Sequence, residues 1–494
     1  ISTTMKKNLW ILMIGLLSFQ LKGQMAKTYY ETYDNYREKT INNRRFTHEQ
    51  LEAVLKSHPH LSRRVLGKSV EGRPISLIQL GDGPIKVMLW SQMHGNESTA
   101  TMALMDILNF FEKEDGLSAH KKALLSQLTI YMIPMLNPDG AAYFRRHNAM
   151  GVDLNRDALR LQMPESRILK ETRDALNPEW GFNLHDQNRY YSAGLMQDKT
   201  ASISFLAPAY NYEKDINEKR GEAMQLIVKL NEVLQDYIPG KVGRYNDDFE
   251  PRAFGDNIQK WGTRTILVET GALGEDLEKQ YLRRLNYVLL LSAFNDIAFG
   301  GYQEVPVSAY EDIPFNESNS FLDLLIKEVK YRYNDQEFLL DLGFRRGEVE
   351  TDFPDFTFKG TLHDLGDLSI FFAYETLESD GYELFNGDYY ENTITKPADL
   401  LKLNPVALLK SGITKVLVKF NIQQGRIAGF PLDLVSAVEG EGNPLFVGKN
   451  PSFILSKGNQ PDWAVVNGFL IDLQEDEEIT RHWLEGLEKL NIKP

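Results

Sequence analysis

Apolar positions recur along the first three hundred residues in two periods, one near 3.6 and one near 2. Thr47 to Leu55 has the spacing of a short helix. The runs Ile75-Ser76-Leu77-Ile78-Gln79-Leu80 and Ile85-Lys86-Val87-Met88-Leu89-Trp90 read as strands. The turn Gly81-Asp82-Gly83-Pro84 between them predicts a hairpin. Ser98 to Lys113 is amphipathic at helical spacing, with Ser98 or Thr99 as its cap. Leu128 to Leu136 is rich in strand formers and stops at Asn137-Pro138-Asp139-Gly140. Helices are predicted over Leu161 to Leu176, Asn217 to Tyr237 and Glu275 to Phe299, and a strand over Thr263 to Glu269. Strands alternating with helices imply an α/β sandwich around a mixed sheet. Ligand sites in such sheets form beyond the carboxyl ends of the strands.

After Gly300-Gly301 the pattern changes. Short strand-like segments, such as Phe338 to Phe344 and Val416 to Phe420, are separated by turns rich in Gly, Asp and Asn. An amphipathic helix is predicted from Glu477 to Leu490. The sequence therefore divides into residues 1–24, a domain over 25–300 and a C-terminal mixed α/β or β-rich domain over 301–494, with the boundary near 300–315. No catalytic constellation is legible in the C-terminal part. Its aromatics Tyr382, Phe385, Tyr389 and Tyr390 read more readily as core than as a binding surface.

Composition narrows the classes. The 494 residues are 42% hydrophobic and 25% charged, which is ordinary for a globular protein. The net charge of −14 argues against a nucleic-acid or anionic-membrane partner. Cysteine is absent, so disulfides, thiol nucleophiles and thiolate ligands are excluded together. At the N-terminus Met5-Lys6-Lys7 precedes the apolar run Leu9 to Phe19 and a polar stretch to Gln24. This is the layout of a secretory signal peptide, preceded by Ile1 to Thr4. It predicts a secreted or periplasmic protein, with no cysteine for lipidation and no membrane anchor in the mature chain.

His94 and Glu97 follow the strand ending near Trp90, with Gly95 to relieve the turn and a helix after it. Two ligands at that spacing can face one ion. Without cysteine, a metal must be held by His, Asp or Glu, the ligand types of catalytic zinc. His185, after Trp180-Gly181-Phe182-Asn183-Leu184, is the candidate third ligand. Of nine histidines, only His147 competes with it, because it lies inside the arginine-rich segment. Glu269 ends an apolar strand and is a candidate general acid/base. Arg146, Asn155 and Arg156 offer fixed donors for a carboxylate and for a carbonyl oxygen that becomes anionic; the residues alone do not divide those tasks.

The ordered segments Gln92-Met93-His94-Gly95-Asn96-Glu97, Asn137-Pro138-Asp139-Gly140, Asp153-Leu154-Asn155-Arg156, His185 and Ile266-Leu267-Val268-Glu269-Thr270-Gly271 resemble those of the zinc metallocarboxypeptidases, the carboxypeptidase A-like enzymes, in a divergent bacterial branch. The resemblance covers roughly residues 65 to 300. It implies a three-layer sandwich with a mixed central sheet and one Zn2+ per chain held by His94, Glu97 and His185. It also implies Glu269 as general acid/base, Asn155 and Arg156 on the substrate's terminal carboxylate, Arg146 rather than Arg145 on the scissile carbonyl, and Asp153 as the partner of the first zinc histidine. Tyr245 is the nearest match to a tyrosine that closes over substrate, with Tyr190 and Tyr191 as further candidates. The chain departs from the family at Asp157, where an asparagine is usual, and around Tyr245.

The expected function is a secreted zinc carboxypeptidase acting on peptides, cell-wall peptides among them. Two alternatives stand beside it: an N-acyl amino acid deacylase of the succinylglutamate desuccinylase or aspartoacylase kind, and a non-catalytic peptide- or wall-binding protein that keeps the fold. Asp247, Asp248, Glu250 and Asp256 lie where specificity would be set and suggest a cationic substrate group.

Overall fold

The computed structural model describes residues 25–318, 321–351, 353–420, 429–438, 443–458, 460–490 and 492. The signal-peptide segment, residues 1–24, lies outside the described residues. The chain forms two compact units that divide between Ser318 and Asn319.

In the first unit the strands are β1 (Ser62–Lys68), β2 (Pro74–Leu80), β3 (Ile85–Ser91), β4 (Leu128–Ile133), β5 (Trp180–Asp186), β6 (Ser192–Ala193), β7 (Ile203–Leu206), β8 (Val242–Arg244), β9 (Arg264–Thr270) and β10 (Asn316–Glu317). The helices are α1 (His48–Lys56), α2 (Thr99–Glu112), α3 (Ser118–Gln127), α4 (Pro138–Ala142), α5 (Pro164–Leu176), α6 (Glu218–Gln235), α7 (Phe254–Lys260) and α8 (Gln280–Phe299). An eight-stranded mixed sheet runs β1-β2-β4-β3-β5-β9-β7-β8. Its centre, β4-β3-β5-β9, is parallel throughout.

Alternation along each central strand builds three layers. Val87 and Leu89 join one apolar cluster with Leu104, Leu108, Ile227, Leu230 and Leu289 of α2, α6 and α8. Met88 and Trp90 point the other way, into a second cluster with Leu169 and Leu176 of α5 and Ile258 of α7. Strands buried on both faces must read as near-continuous apolar runs, as β3 does.

That same burial overturns the predicted hairpin. β2 and β3 are not paired; β4 lies between them, antiparallel to β2 and parallel to β3. The connecting loop instead docks on the start of β4, where Gly83 N–H donates to Leu128 O (3.3 Å) and Thr129 Oγ1 donates to Gly83 O (2.6 Å). A Cβ on Gly83 would fall 2.1 Å from the Gln127 carbonyl carbon, so glycine here serves close packing rather than a two-strand turn.

Two boundaries also move. α8 begins at Gln280, not near Glu275, because Asp276 caps it by accepting the N–H groups of Gln280, Tyr281 and Leu282. Residues 301–317 stay with the first unit rather than opening the second. Tyr302, Tyr310 and Ile313 are buried in its larger cluster, and β10 pairs with β6.

The second unit is β-rich. Its larger sheet has eight strands, including the antiparallel run Phe321–Tyr333, Gln336–Glu350 and Phe356–Gly366; a three-stranded parallel sheet adjoins helices Pro405–Lys410 and Asp476–Lys489. Tyr382 and Tyr390 pack against its cores, whereas Phe385 is exposed.

Candidate functional site

Four parallel strands end at one edge of the sheet, and the candidate residues lie after β3 and β4 and in the last residues of β5 and β9. Past β3, Gln92 turns the chain in a left-handed conformation (φ 45°), and its side chain donates to Gly95 O (2.9 Å). The loop then lies directly on the turn after β4. A Cβ on Gly95 would sit 2.0 Å from the carbonyl carbon of Gly140. Asn137 fixes that turn: its Oδ1 accepts Gly140 N–H (2.9 Å) and its Nδ2 donates to Met93 O (3.2 Å). Asp139 holds the neighbouring loop through Ser69 Oγ (2.7 Å), Glu71 N–H (2.9 Å) and Arg73 Nη1 (2.7 Å). The Asn-Pro-Asp-Gly segment thus shapes the ligand loop from behind.

His94, Glu97 and His185 are all buried, with one potential ligand atom from each lying within 4.8 Å of the others. His94 Nδ1 is 2.8 Å from Glu97 Oε1, His185 Nδ1 is 2.6 Å from Glu97 Oε2, and the two Nδ1 atoms are 3.1 Å apart. Two facing imidazole nitrogens can share at most one proton on that line, so at least one presents a lone pair. On the far side of the ring, His94 Nε2–H donates to Asp153 Oδ1 (3.0 Å), which leaves the Nδ1 lone pair facing the site. Two nitrogens and a carboxylate converging in a buried spot fit a divalent cation such as zinc. His147 is exposed and takes no part.

Burial raises the Glu97 carboxyl, but the His94 and His185 imidazoles more than reverse this and hold it far below the usual range. Asp153 is likewise raised by burial and lowered further by His94 and Arg146. For His94, burial favours the neutral ring, and Glu97 and Asp153 outweigh it, so its pKa rises. His185 goes down, because burial outweighs Glu97.

Arg146 joins the ligand loop to the Asp153 loop. Its Nε and Nη2 donate to Asp153 Oδ2 (3.1 and 3.0 Å) and its Nη1 to Glu97 Oε1 (3.1 Å). Arg145 turns away, over the Tyr143 ring. Asn155 Oδ1 accepts Phe254 N–H (2.8 Å), and Arg156 Nη1 donates to Asn155 O (2.7 Å). Arg156 Nε lies 3.7 Å from Glu250 Oε2, both groups half-exposed, so it remains open to an incoming carboxylate.

Glu269 is half-buried at the end of β9, in register with His185 on β5. Withdrawal from water raises its carboxyl well above the usual range, and the charges of Glu97 and Asp186 add to this. Tyr245 follows β8, its ring 5.7 Å from that of Tyr191. Burial raises its hydroxyl pKa, as do nearby Glu269 and Tyr191. The Tyr190 N–H donates to Asn188 Oδ1 (2.9 Å).

The acidic cluster is not a free anionic surface. Asp247 is paired with Arg220 and Lys214, Asp248 with Lys214, and Glu250 with Arg252. Asp256 is buried, accepts Glu250 N–H (2.9 Å), and is pushed up to about 7 by burial.

Two groups of residues escaped the sequence reading. Asn316, beyond the expected domain end, donates to Gln187 Oε1 (3.2 Å) and Ser204 Oγ (3.3 Å) and packs on Gly243, close to Tyr245. Lys279 and Asp186 form an ion pair (3.1 Å) directly behind the ligands. Neither carries a spacing signal, since both depend on distant strand ends meeting.

Residues 47–192 match the zinc carboxypeptidase family Peptidase_M14. The match spans His94, Glu97, Arg146, Asp153, Asn155, Arg156 and His185 but stops short of Tyr245 and Glu269. Carboxypeptidase 2 of Trichophyton rubrum is 29% identical over 177 residues, covering 33% of this chain and 31% of that protein. Carboxypeptidase SOL1 of Arabidopsis thaliana is 27% identical over 147 residues, covering 25% of this chain and 29% of that protein. The chain spans about a third of the length of these curated relatives. A metallo-carboxypeptidase structure from Burkholderia cenocepacia superposes with a TM-score of 0.43 at 19% identity, covering 52% of this chain and 70% of that one. The family match and the curated relatives support a carboxypeptidase A-like family for the first unit.

Proposed function

We propose that this protein is a zinc-dependent carboxypeptidase that hydrolyses the amide bond next to a free C-terminal carboxylate. The observation that carries the reading is the convergence of His94, Glu97 and His185, with Asp153 behind His94 and Glu269 level with His185. A zinc ion held by those three side chains would supply Lewis acidity to the site.

The remaining work falls to the chain's own groups. Arg156, with Asn155, takes the substrate's terminal carboxylate and sets which bond lies over the site. Glu269 removes a proton from the attacking water and returns it to the departing amine; a carboxyl raised above the ordinary range suits both halves of that exchange. Arg146 faces the developing oxyanion with a guanidinium already oriented by Asp153 and Glu97. Tyr245 forms part of the wall beside Glu269. The neutralised acidic cluster favours side chains other than a strongly cationic one.

Export belongs to the same proposal, on the Met5-Lys6-Lys7 and Leu9–Phe19 layout, and cell-wall peptides are one substrate class it would open. Mass spectrometry of a peptide library tests the reading, with chelated enzyme and Glu269→Gln run alongside. Stepwise C-terminal loss in the untreated enzyme alone is expected. Cleavage of N-acyl amino acids but not peptides would replace it with the deacylase reading. Zinc binding without any hydrolysis would leave a binding protein.

A further inference from the structure

Lys279 sits immediately before α8 with a left-handed backbone, φ 51°, which a lysine adopts only when its surroundings demand it. Its side chain runs inward. Nζ reaches Asp186 Oδ2 (3.1 Å) and Thr270 O (3.0 Å). Asp186 directly follows His185 on β5, and Thr270 directly follows Glu269 on β9. The same Asp186 Oδ2 accepts Thr99 Oγ1 (2.7 Å) from the first residue of α2, which the ligand loop feeds. The Asp186 N–H donates to Glu97 Oε2 (3.2 Å). One ammonium therefore joins the strand end carrying His185 to the strand end carrying Glu269, and Asp186 in turn holds the helix that follows Glu97.

We propose that Lys279 is a positioning residue, which sets the separation of Glu269 from the ligand side chains by tying Asp186 to the Thr270 carbonyl. The inference rests on the metallocarboxypeptidase reading of the site. The Thr270 carbonyl also accepts the Gln187 N–H (3.0 Å), so the ammonium reinforces a backbone bond between the same two strand ends from a third element. The left-handed φ of 51° and the two inward contacts of Nζ occur at the same residue.

The test compares full-length wild type with Lys279→Met and with Thr99→Val, a milder loss of one donor to the same carboxylate. Zinc affinity is read by competition with a chromophoric chelator, kcat and KM on a peptide substrate, and Tm by circular dichroism. Positioning predicts at least a tenfold loss in both zinc affinity and kcat for Lys279→Met, with KM within about threefold. Thr99→Val should follow in the same direction at about threefold. A fall in Tm of roughly 10 °C, with zinc affinity and kcat within twofold of wild type, would mean a purely structural ion pair and overturn the inference. If Lys279→Met does not fold, Thr99→Val decides, and unchanged zinc affinity and kcat there overturn it equally. Wild type that neither binds zinc nor cleaves peptides removes the underlying reading, and the inference with it. Active wild type with an unaffected Lys279→Met removes the inference alone.

Discussion

His185 and Glu269 are register partners on adjacent parallel strands, β5 and β9. Their preceding neighbours, Leu184 and Val268, both face the larger core, so the two functional side chains leave the sheet on the opposite face and at the same level. Eighty-odd residues of intervening chain are thereby reduced to one interstrand spacing of about 4.8 Å. The sheet register brings the candidate ligand and base to the same level, and the Lys279 contacts at the two strand ends add to it.

Replacing Glu269 by Gln keeps volume and removes the base. Peptide hydrolysis should fall by about 10²–10⁴-fold in kcat, with zinc content unchanged, as measured by single-substrate kinetics and metal analysis. Parallel loss of zinc would mean that Glu269 acts through the ligands instead.

Asp153→Asn should leave a folded protein whose zinc affinity is about 10–100-fold weaker, because a neutral amide is a weaker acceptor for the His94 ring and its NH2 can turn toward Nε2 instead. Chelator competition reads this directly. Stripping zinc from wild type should lower Tm as well as activity, since a metal bound only by the folded state adds to stability. An unchanged Tm on chelation would argue against resident metal.

Arg156→Ala should reduce kcat/KM on peptides with a free C-terminus by about 10–100-fold, the range of a charge-assisted hydrogen-bond pair. The same peptides capped as C-terminal amides should be poor substrates for wild type and no worse for the variant. Equal loss on both would deny Arg156 a carboxylate-binding role.

Gly95→Ala is expected to be among the most damaging single methyl additions in the first unit. The new Cβ meets the Gly140 backbone, which cannot rotate away as a side chain could. A cost of about 3 kcal/mol, or a Tm lower by roughly 10 °C, follows from overpacking of this kind. Gly116→Ala, with no atom within 4 Å, should be nearly neutral in the same melt.

Asp256 ties stability to pH. Its folded pKa of about 7 lies above the ordinary aspartate value near 4, so the folded state binds the extra proton between those two pH values. Stability is then greatest below about pH 4 on this account and declines as pH rises through about 7. Relative to Asp256→Asn, wild type should lose about 2–3 kcal/mol between pH 5 and pH 8 in denaturant unfolding. Parallel pH profiles would show that Asp256 is charged throughout.

Much of the site was legible along the chain because its chemistry is local. His94 and Glu97 share one loop, Asp153, Asn155 and Arg156 another, and each loop follows or borders an apolar run whose period names the element. α1, α2, α5 and α6 could be read for the same reason, since helical spacing acts over a few residues; side-chain caps add to it at α1 and α6, whereas Ser98, the expected cap of α2, donates its Oγ to Arg44 O instead. What the sequence could not determine was which strands would be neighbours. β2 and β3 are joined by four residues and are still separated by β4, because burial on both faces rewards a central position more than a short turn rewards a hairpin. Asn316 and Lys279 were invisible likewise: a side chain that bridges two strand ends leaves no periodicity, and its partners are neighbours only after the sheet has formed. The sequence by itself determined which side chains could serve as ligands and donors. Only the tertiary structure decided the strand order that gathers it and the buried ion pair that lies behind it, because both arise from contacts between segments that local propensity does not link.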